Sequence, residues 1–149
     1  MVAIDSPPPK VTPRPIFLSI PAYTKIVRLY DPNSFGTRAL SFRTYGPISR
    51  FDHQRALYPD RINDKERGII YSATTLSSCL VEIFGDLKVI EVGSWEVAAI
   101  TTTRTLNLLD LRGSGAMRAG TVSAISKESN RRFSQEWSRY FYDTTFLYG

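Results

Sequence analysis

The sequence predicts an α+β fold in a single domain, a small mixed sheet with flanking helices. Three observations lead there. The chain has 149 residues, one domain's worth. Its strand-like segments are short; the alternating Lys25–Tyr30 (KIVRLY) is the clearest. Its helical stretches do not alternate with strands in the regular units that a doubly wound sheet requires.

The elements follow in order. Six of the nine prolines fall in the first 21 residues (Pro7, Pro8, Pro9, Pro13, Pro15 and Pro21). Proline lacks an amide donor and blocks helix, so residues 1–21 are expected to be an extended, disordered leader. The folded part begins near Tyr23 with the strand Lys25–Tyr30, which ends at the turn signal Asp31-Pro32-Asn33. Residues 33–67 read as irregular and rich in arginine (Arg38, Arg43, Arg50, Arg55, Arg61, Arg67). Gly68 then opens Ile69–Ser72, a short apolar segment expected as a buried strand. Thr74 or Thr75 caps a helix that runs to about Phe84 and stops at Gly85. Its apolar face is Leu76, Cys79, Leu80, Ile83 and Phe84, at helical spacing. Strands are expected over Glu96–Thr101 and Thr105–Leu111. Gly113-Ser114-Gly115 breaks the chain, one or two helical stretches fill 115–130, and a last helix covers Ser134–Tyr142.

Bulk properties narrow the function classes. At 42% hydrophobic and 22% charged, the chain is neither a solvated disordered polymer nor a membrane protein. No apolar run approaches the roughly 18–20 residues that span a bilayer. Ile16–Ile20 is too short for the core of a signal peptide. A soluble cytoplasmic protein is expected. One cysteine, Cys79, forms no internal disulfide, and one Cys with one His makes no Cys/His zinc site, so no metal is expected. The net charge of +5 attracts anions such as phosphates and nucleotides, or is simply a solvated basic surface. No RNA-binding aromatic signature or zinc-finger spacing supports nucleic-acid binding, and a direct nucleic-acid partner is not expected.

Glu82 lies two residues from Leu80 and six from Leu76, off the main apolar stripe and near its edge. Tyr71 precedes the same helix. Taken alone, Glu82 reads as a solvated helix glutamate, Tyr71 as a core aromatic with a wet tip, and the arginines as loop surface. The other reading puts the carboxylate and the phenol on one cleft. Gly113-x-Gly115 is not followed by the third glycine of a dinucleotide fingerprint, the next being Gly120, and reads as a turn into a helix. Cys79 belongs to the apolar stripe and reads as core. The closing aromatics Trp137, Tyr140, Phe141, Tyr142, Phe146 and Tyr148 also read as core rather than as base-stacking groups.

Three segments together resemble the RES domain family: Gly46–His53 (GPISRFDH), Arg67–Asp86 (RGIIYSATTLSSCLVEIFGD) and Leu108–Ser126 (LLDLRGSGAMRAGTVSAIS). They are close to the branch that carries Arg-Phe-Asp-His in its first motif. The most specific part is the spacing of ten residues between Tyr71 and Glu82. The resemblance covers about Tyr23 to the end, giving a leader over 1–21 and the domain over 22–149. It implies an ADP-ribosyltransferase-like fold and cleavage of the nicotinamide–ribose bond of NAD, with NAD as substrate and water or inorganic phosphate as acceptor. It also implies a toxin held by a helix-turn-helix (Xre-type) antitoxin. Glu82 matches the catalytic glutamate, Arg50 and Arg28 match phosphate-binding arginines, and Tyr71 matches the tyrosine that lines the nicotinamide end. His53 is expected to be structural. The family's serine matches no position here: Ser134 and Ser138 lack its context, and the ending Phe146-Leu147-Tyr148-Gly149 reads as a domain cut short at its C-terminus. That gap leaves an alternative, a catalytically inactive module that binds NAD, ADP-ribose or a protein partner.

Overall fold

A computed structural model of the chain describes residues 4–87 and 89–144. In order the elements are β1 (Phe17–Ile20), β2 (Lys25–Tyr30), β3 (Tyr45–Gly46), β4 (Ile62–Asn63), α1 (Leu76–Phe84), β5 (Glu96–Thr101), β6 (Leu106–Leu109), α2 (Gly115–Arg118) and α3 (Arg131–Asp143). Short 3-10 turns occupy Gly85–Leu87 and Ser123–Lys127. The class is α+β. The strands form three two-stranded pairings among the described residues rather than one mixed sheet: β1 with β6, β2 with β5, and β3 with β4. No described helix is long and apolar enough to cross a membrane.

Contacts divide the chain into two compact units. One comprises residues 20–43 and 70–106; the other takes its residues from 1–19, 44–69 and 107–149.

In the first unit, β2 and β5 run antiparallel, from Lys25 opposite Thr101 to Tyr30 opposite Glu96. Side chains alternate across a strand, so Val27 and Leu29 share one face. That face meets α1: Leu29, Cys79 and Phe84 form a buried cluster, joined by Val27, Ala73, Leu80, Ile83 and Trp95. Phe84 and Trp95 meet edge to face at 5.5 Å. Cys79 is buried, and its thiol donates to the Val27 carbonyl at 3.3 Å. The helix starts where its capping residue dictates. The Thr75 hydroxyl accepts from the Ser78 amide at 3.1 Å, satisfying one of the orphan donors of the first turn. Thr75→Ala is therefore expected to cost about 1 kcal/mol, a typical capping loss, read as a lower urea midpoint at unchanged slope.

Ile69–Ser72 does not form the expected strand. Ladder contact within this unit comes one residue later, where Ala73 and Val27 exchange backbone hydrogen bonds at 2.7 and 2.8 Å in an isolated antiparallel bridge. Two residues on, the chain turns into α1. Tyr71 and Ser72 are exposed instead of sheet-buried.

In the second unit, Ala119, Ile125, Trp137 and Phe141 form the buried core, with Ile4, Phe51, Leu109, Leu111 and Tyr140 against it. The proline-rich segment is not the unstructured leader expected. Trp137 Nε1 donates to the Asp5 carbonyl at 2.8 Å, and the Arg14 amide donates to the Arg118 carbonyl at 2.7 Å. Pro9 closes on Gly120, where an added Cβ would lie 2.4 Å from the proline ring and where φ is +94°. An extended segment keeps its carbonyls available to donors, and the indole and the 118–120 turn supply the contacts that its own sequence does not reveal.

The expected last helix appears as α3, three residues longer at its start, because the Asn130 side chain caps it by accepting from the Arg132 amide at 3.1 Å. The glycine turn is a packing feature. A Cβ on Gly115 would sit 2.0 Å from the Asp110 carbonyl oxygen. Beside it, the Arg112 side chain and amide hold the Asp110 carboxyl down to about 2.

Candidate functional site

Glu82 and Tyr71 belong to the first unit, as does Arg28, whereas Arg50 belongs to the second. Glu82 is exposed on α1, between the half-buried Leu80 and Ile83 and one turn on from the buried Cys79, at the edge of the apolar stripe. Its carboxylate has no hydrogen-bond or ion-pair partner among the described residues. A helix fixed by its cap and by the Cys79–Val27 contact thus presents a carboxylate to solvent. Tyr71 is 43% exposed, an aromatic face and phenol at the surface rather than in the core.

Arg28 is placed differently. It alternates with Val27 and Leu29 on β2, so its side chain leaves the ribbon on the face away from α1. It is 7% exposed, and Nη1 donates to three carbonyls, those of Arg38 (3.1 Å), Ala39 (2.9 Å) and Ser41 (2.7 Å). Its guanidinium also lies 5.6 Å from the Tyr30 ring centroid. Burial pulls its pKa below the ordinary arginine value, and Tyr30 opposes the shift. The observed work of Arg28 is to fold the 38–41 loop against β2, on the opposite face from the helix that carries Glu82. Tyr30, next to it, donates to Glu96 Oε2 at 2.5 Å, which raises the tyrosine pKa.

In the second unit the segment Ile48–His53 is tied down almost residue by residue. Asp52 is fully buried, and its Oδ2 accepts from the amides of Ile48 (2.5 Å) and Ser49 (2.9 Å). Gln135 Nε2 donates to the Ser49 carbonyl at 3.0 Å and Ser138 Oγ to the Phe51 carbonyl at 2.6 Å. Arg50, half-buried, donates from Nη1 to the Ser126 carbonyl at 3.0 Å. Phe51 and Asp52 are therefore framework, and Arg50 is the member of the motif whose charge reaches the surface. Sequence reasoning did not single out Asp52 or Gln135, and it considered Ser138 only as a match to the family's serine, which it lacked the context to be. Asp52 accepts from amides four and three residues behind it, the reverse of the forward Asx turn, so no local turn signal marks it. The α3 contacts had none either.

His53 is structural in its contacts. Its ring stacks on Tyr142 at 4.1 Å with 16° between planes, and its carbonyl accepts from Arg67 Nη1 at 2.9 Å. Arg67 in turn lies over the Tyr142 ring and pairs with Asp143. The imidazole Nε2 is buried without a hydrogen-bond partner among the described residues. Burial, then the nearby Arg67 charge, lower the His53 pKa below 6.5. The unfolded chain then takes up the proton first as pH falls, so stability should decline below about pH 6.5 and level off beneath the folded-state value. The check is the urea midpoint from pH 7.5 to 5. His53→Phe, which keeps a stacked ring, should flatten that decline; an equally steep slope in the variant would contradict it.

Among the described residues no three His, Cys, Asp or Glu side chains group as metal ligands. A family model described as the RES domain matches residues 37–148, well over half of the chain. The protein belongs to the RES domain family, which is broadly associated with enzymes that process NAD. Arg50, Tyr71 and Glu82 fall inside the matched stretch, and Arg28 falls outside it. No curated protein and no solved structure matches the chain. The family's serine matches no position of this sequence, and the closing run Phe146–Gly149 lies outside the described residues.

Proposed function

We propose that this protein cleaves the nicotinamide–ribose bond of NAD, with Glu82 as the catalytic carboxylate. The observation that carries the reading is Glu82 itself: an exposed carboxylate with no partner among the described residues, on a capped and anchored helix inside the stretch that the RES family model matches. The bond between C1′ of the ribose and N1 of the pyridinium breaks with its electron pair going to nitrogen, so nicotinamide leaves neutral. No strong general acid is needed, in keeping with a chain that has one histidine engaged in a stack. The ribose is left with oxocarbenium character, as in glycoside cleavage, and a carboxylate beside it stabilises that developing charge. Water then attacks C1′ and loses a proton, or phosphate attacks and gives a 1-phosphate of ADP-ribose. Tyr71 packs against the nicotinamide end. Arg50, in the other unit, carries a guanidinium fork of the kind that suits a phosphate group. Arg28 keeps the part its contacts define, holding the 38–41 loop. The wider reading is a cytoplasmic toxin of ADP-ribosyltransferase-like fold, restrained by a helix-turn-helix antitoxin.

The test is to incubate purified protein with NAD, with and without phosphate, and to follow nicotinamide release by chromatography. Release that depends on enzyme concentration supports the proposal, and the product formed with phosphate identifies the acceptor. NAD bound in calorimetry without any release would replace the enzyme by a binding module.

A further inference from the structure

We propose that Arg131, together with Arg50, forms a phosphate-binding pair on the turn Ile48–Arg50; the inference rests on the NAD reading only for the biological source of the phosphate. The two arginines come from different elements, one carried by this turn and the other bonded to it. Arg50 reaches out of it to the Ser126 carbonyl through Nη1 at 3.0 Å. Arg131, at the first position of α3, reaches into it and donates from Nη1 to the Ile48 carbonyl, also at 3.0 Å. Each guanidinium is thus anchored through one nitrogen to a neutral acceptor. Neither has a carboxylate partner among the described residues, whereas Arg55, Arg67, Arg112 and Arg132 of the same unit all pair with acids. Lys127 follows the anchoring residue Ser126 and adds a third positive charge along the same stretch.

The platform beneath them is rigid. Asp52 and Gln135, both fully buried, clamp the turn from inside through the Ile48 and Ser49 amides and the Ser49 carbonyl. A guanidinium carries five donors, so one anchoring bond leaves most of its fork for a ligand. Anchoring also reduces the side-chain freedom lost on binding. Two charged forks held on one turn match a phosphate or pyrophosphate group, whose several oxygens accept charge-assisted bonds. The sequence alone gave no reason to choose Arg131 among the arginines, because its partner lies 83 residues away.

The experiment is calorimetric titration of the whole chain with inorganic pyrophosphate, inorganic phosphate and ADP-ribose, for the wild type and Arg131→Gln. Glutamine keeps an amide donor for the Ile48 carbonyl and removes the charge. Pyrophosphate affinity is expected to fall about tenfold or more, the loss of one charge-assisted contact, at unchanged melting temperature. A matching loss for ADP-ribose identifies a dinucleotide pyrophosphate as the ligand, and a loss for pyrophosphate and inorganic phosphate without one for ADP-ribose identifies the free anion. Unaltered binding of all three by the variant, or no binding by the wild type, overturns the proposal. If Arg131→Gln melts early, Arg131→Lys takes its place: it keeps the charge and loses the fork, a several-fold loss is expected, and none overturns the proposal. Binding is read here without turnover. Absence of nicotinamide release therefore removes the enzymatic reading and leaves this pair standing, while binding independent of Arg131 removes the pair alone.

Discussion

Replacing Glu82 by glutamine is expected to slow nicotinamide release by about 100- to 1,000-fold, the usual consequence of removing one preorganised electrostatic contact from a transition state. The expected loss is in kcat, with KM little changed, because the carboxylate interacts with charge that develops only as the C–N bond breaks. The substitution is nearly isosteric on an exposed helix face, and the lost carboxylate had no partner among the described residues. Nothing in the packing of α1 depends on it: the helix is held by the Thr75 cap, Cys79 and Phe84. The melting temperature should therefore stay within about a degree or two of the wild type, since surface changes away from special features are usually within about 0.5 kcal/mol. Steady-state kinetics with a thermal melt on the same sample checks both halves. Undiminished kcat in a folded Glu82→Gln protein removes Glu82 from the mechanism.

Trp137→Ala is expected to produce the largest loss of stability in the chain, about 3–5 kcal/mol. Trp137 is 1% exposed at the centre of the second unit's core. It touches Tyr140 edge to face at 5.6 Å and Phe141 at 5.5 Å, and its Nε1 donates to the Asp5 carbonyl. Truncation opens a cavity where neighbours relax only in part, and it leaves the Asp5 carbonyl without its donor. Against a typical total of about 5–15 kcal/mol, that is a large fraction. Trp137→Phe separates the two contributions: it restores most of the buried area but not the N–H. It should recover more than half of the loss in chemical denaturation. The N-terminal segment should become the more protease-sensitive part in both variants, since the indole bond to Asp5 is gone from each.

Much of the local structure was legible beforehand. Lys25–Tyr30, where residues alternate, and Glu96–Thr101 are strands at the limits expected for them. The helix after Thr75 ends at Phe84 because capping and apolar spacing are written within ten residues of chain. Cys79 is core, and Glu82 stands off the apolar stripe, both as the 3.6-residue period indicates. Ile69–Ser72 misled because a short apolar run bounded by glycine suits a strand, yet a strand needs neighbours along its length, and within its unit the bridge falls at Ala73 alone.

By itself the sequence determined the class, the family resemblance and those elements whose signals are local: period, cap and turn. Tertiary structure decided what depends on partners far along the chain. Arg28 had the sequence context of a phosphate ligand, but the carbonyls of residues 38, 39 and 41 claim one end of its guanidinium, and strand alternation sends it to the face away from α1. The proline-rich segment had the composition of a loose leader, but Trp137, Arg118 and Gly120 hold it. Arg131 had no distinguishing context until its bond to Ile48 tied it to the turn that carries Arg50. Hydrogen-bond acceptors on the backbone carry no mark in the sequence, since almost every residue offers one. Which donor meets which carbonyl is settled only when distant segments fold together.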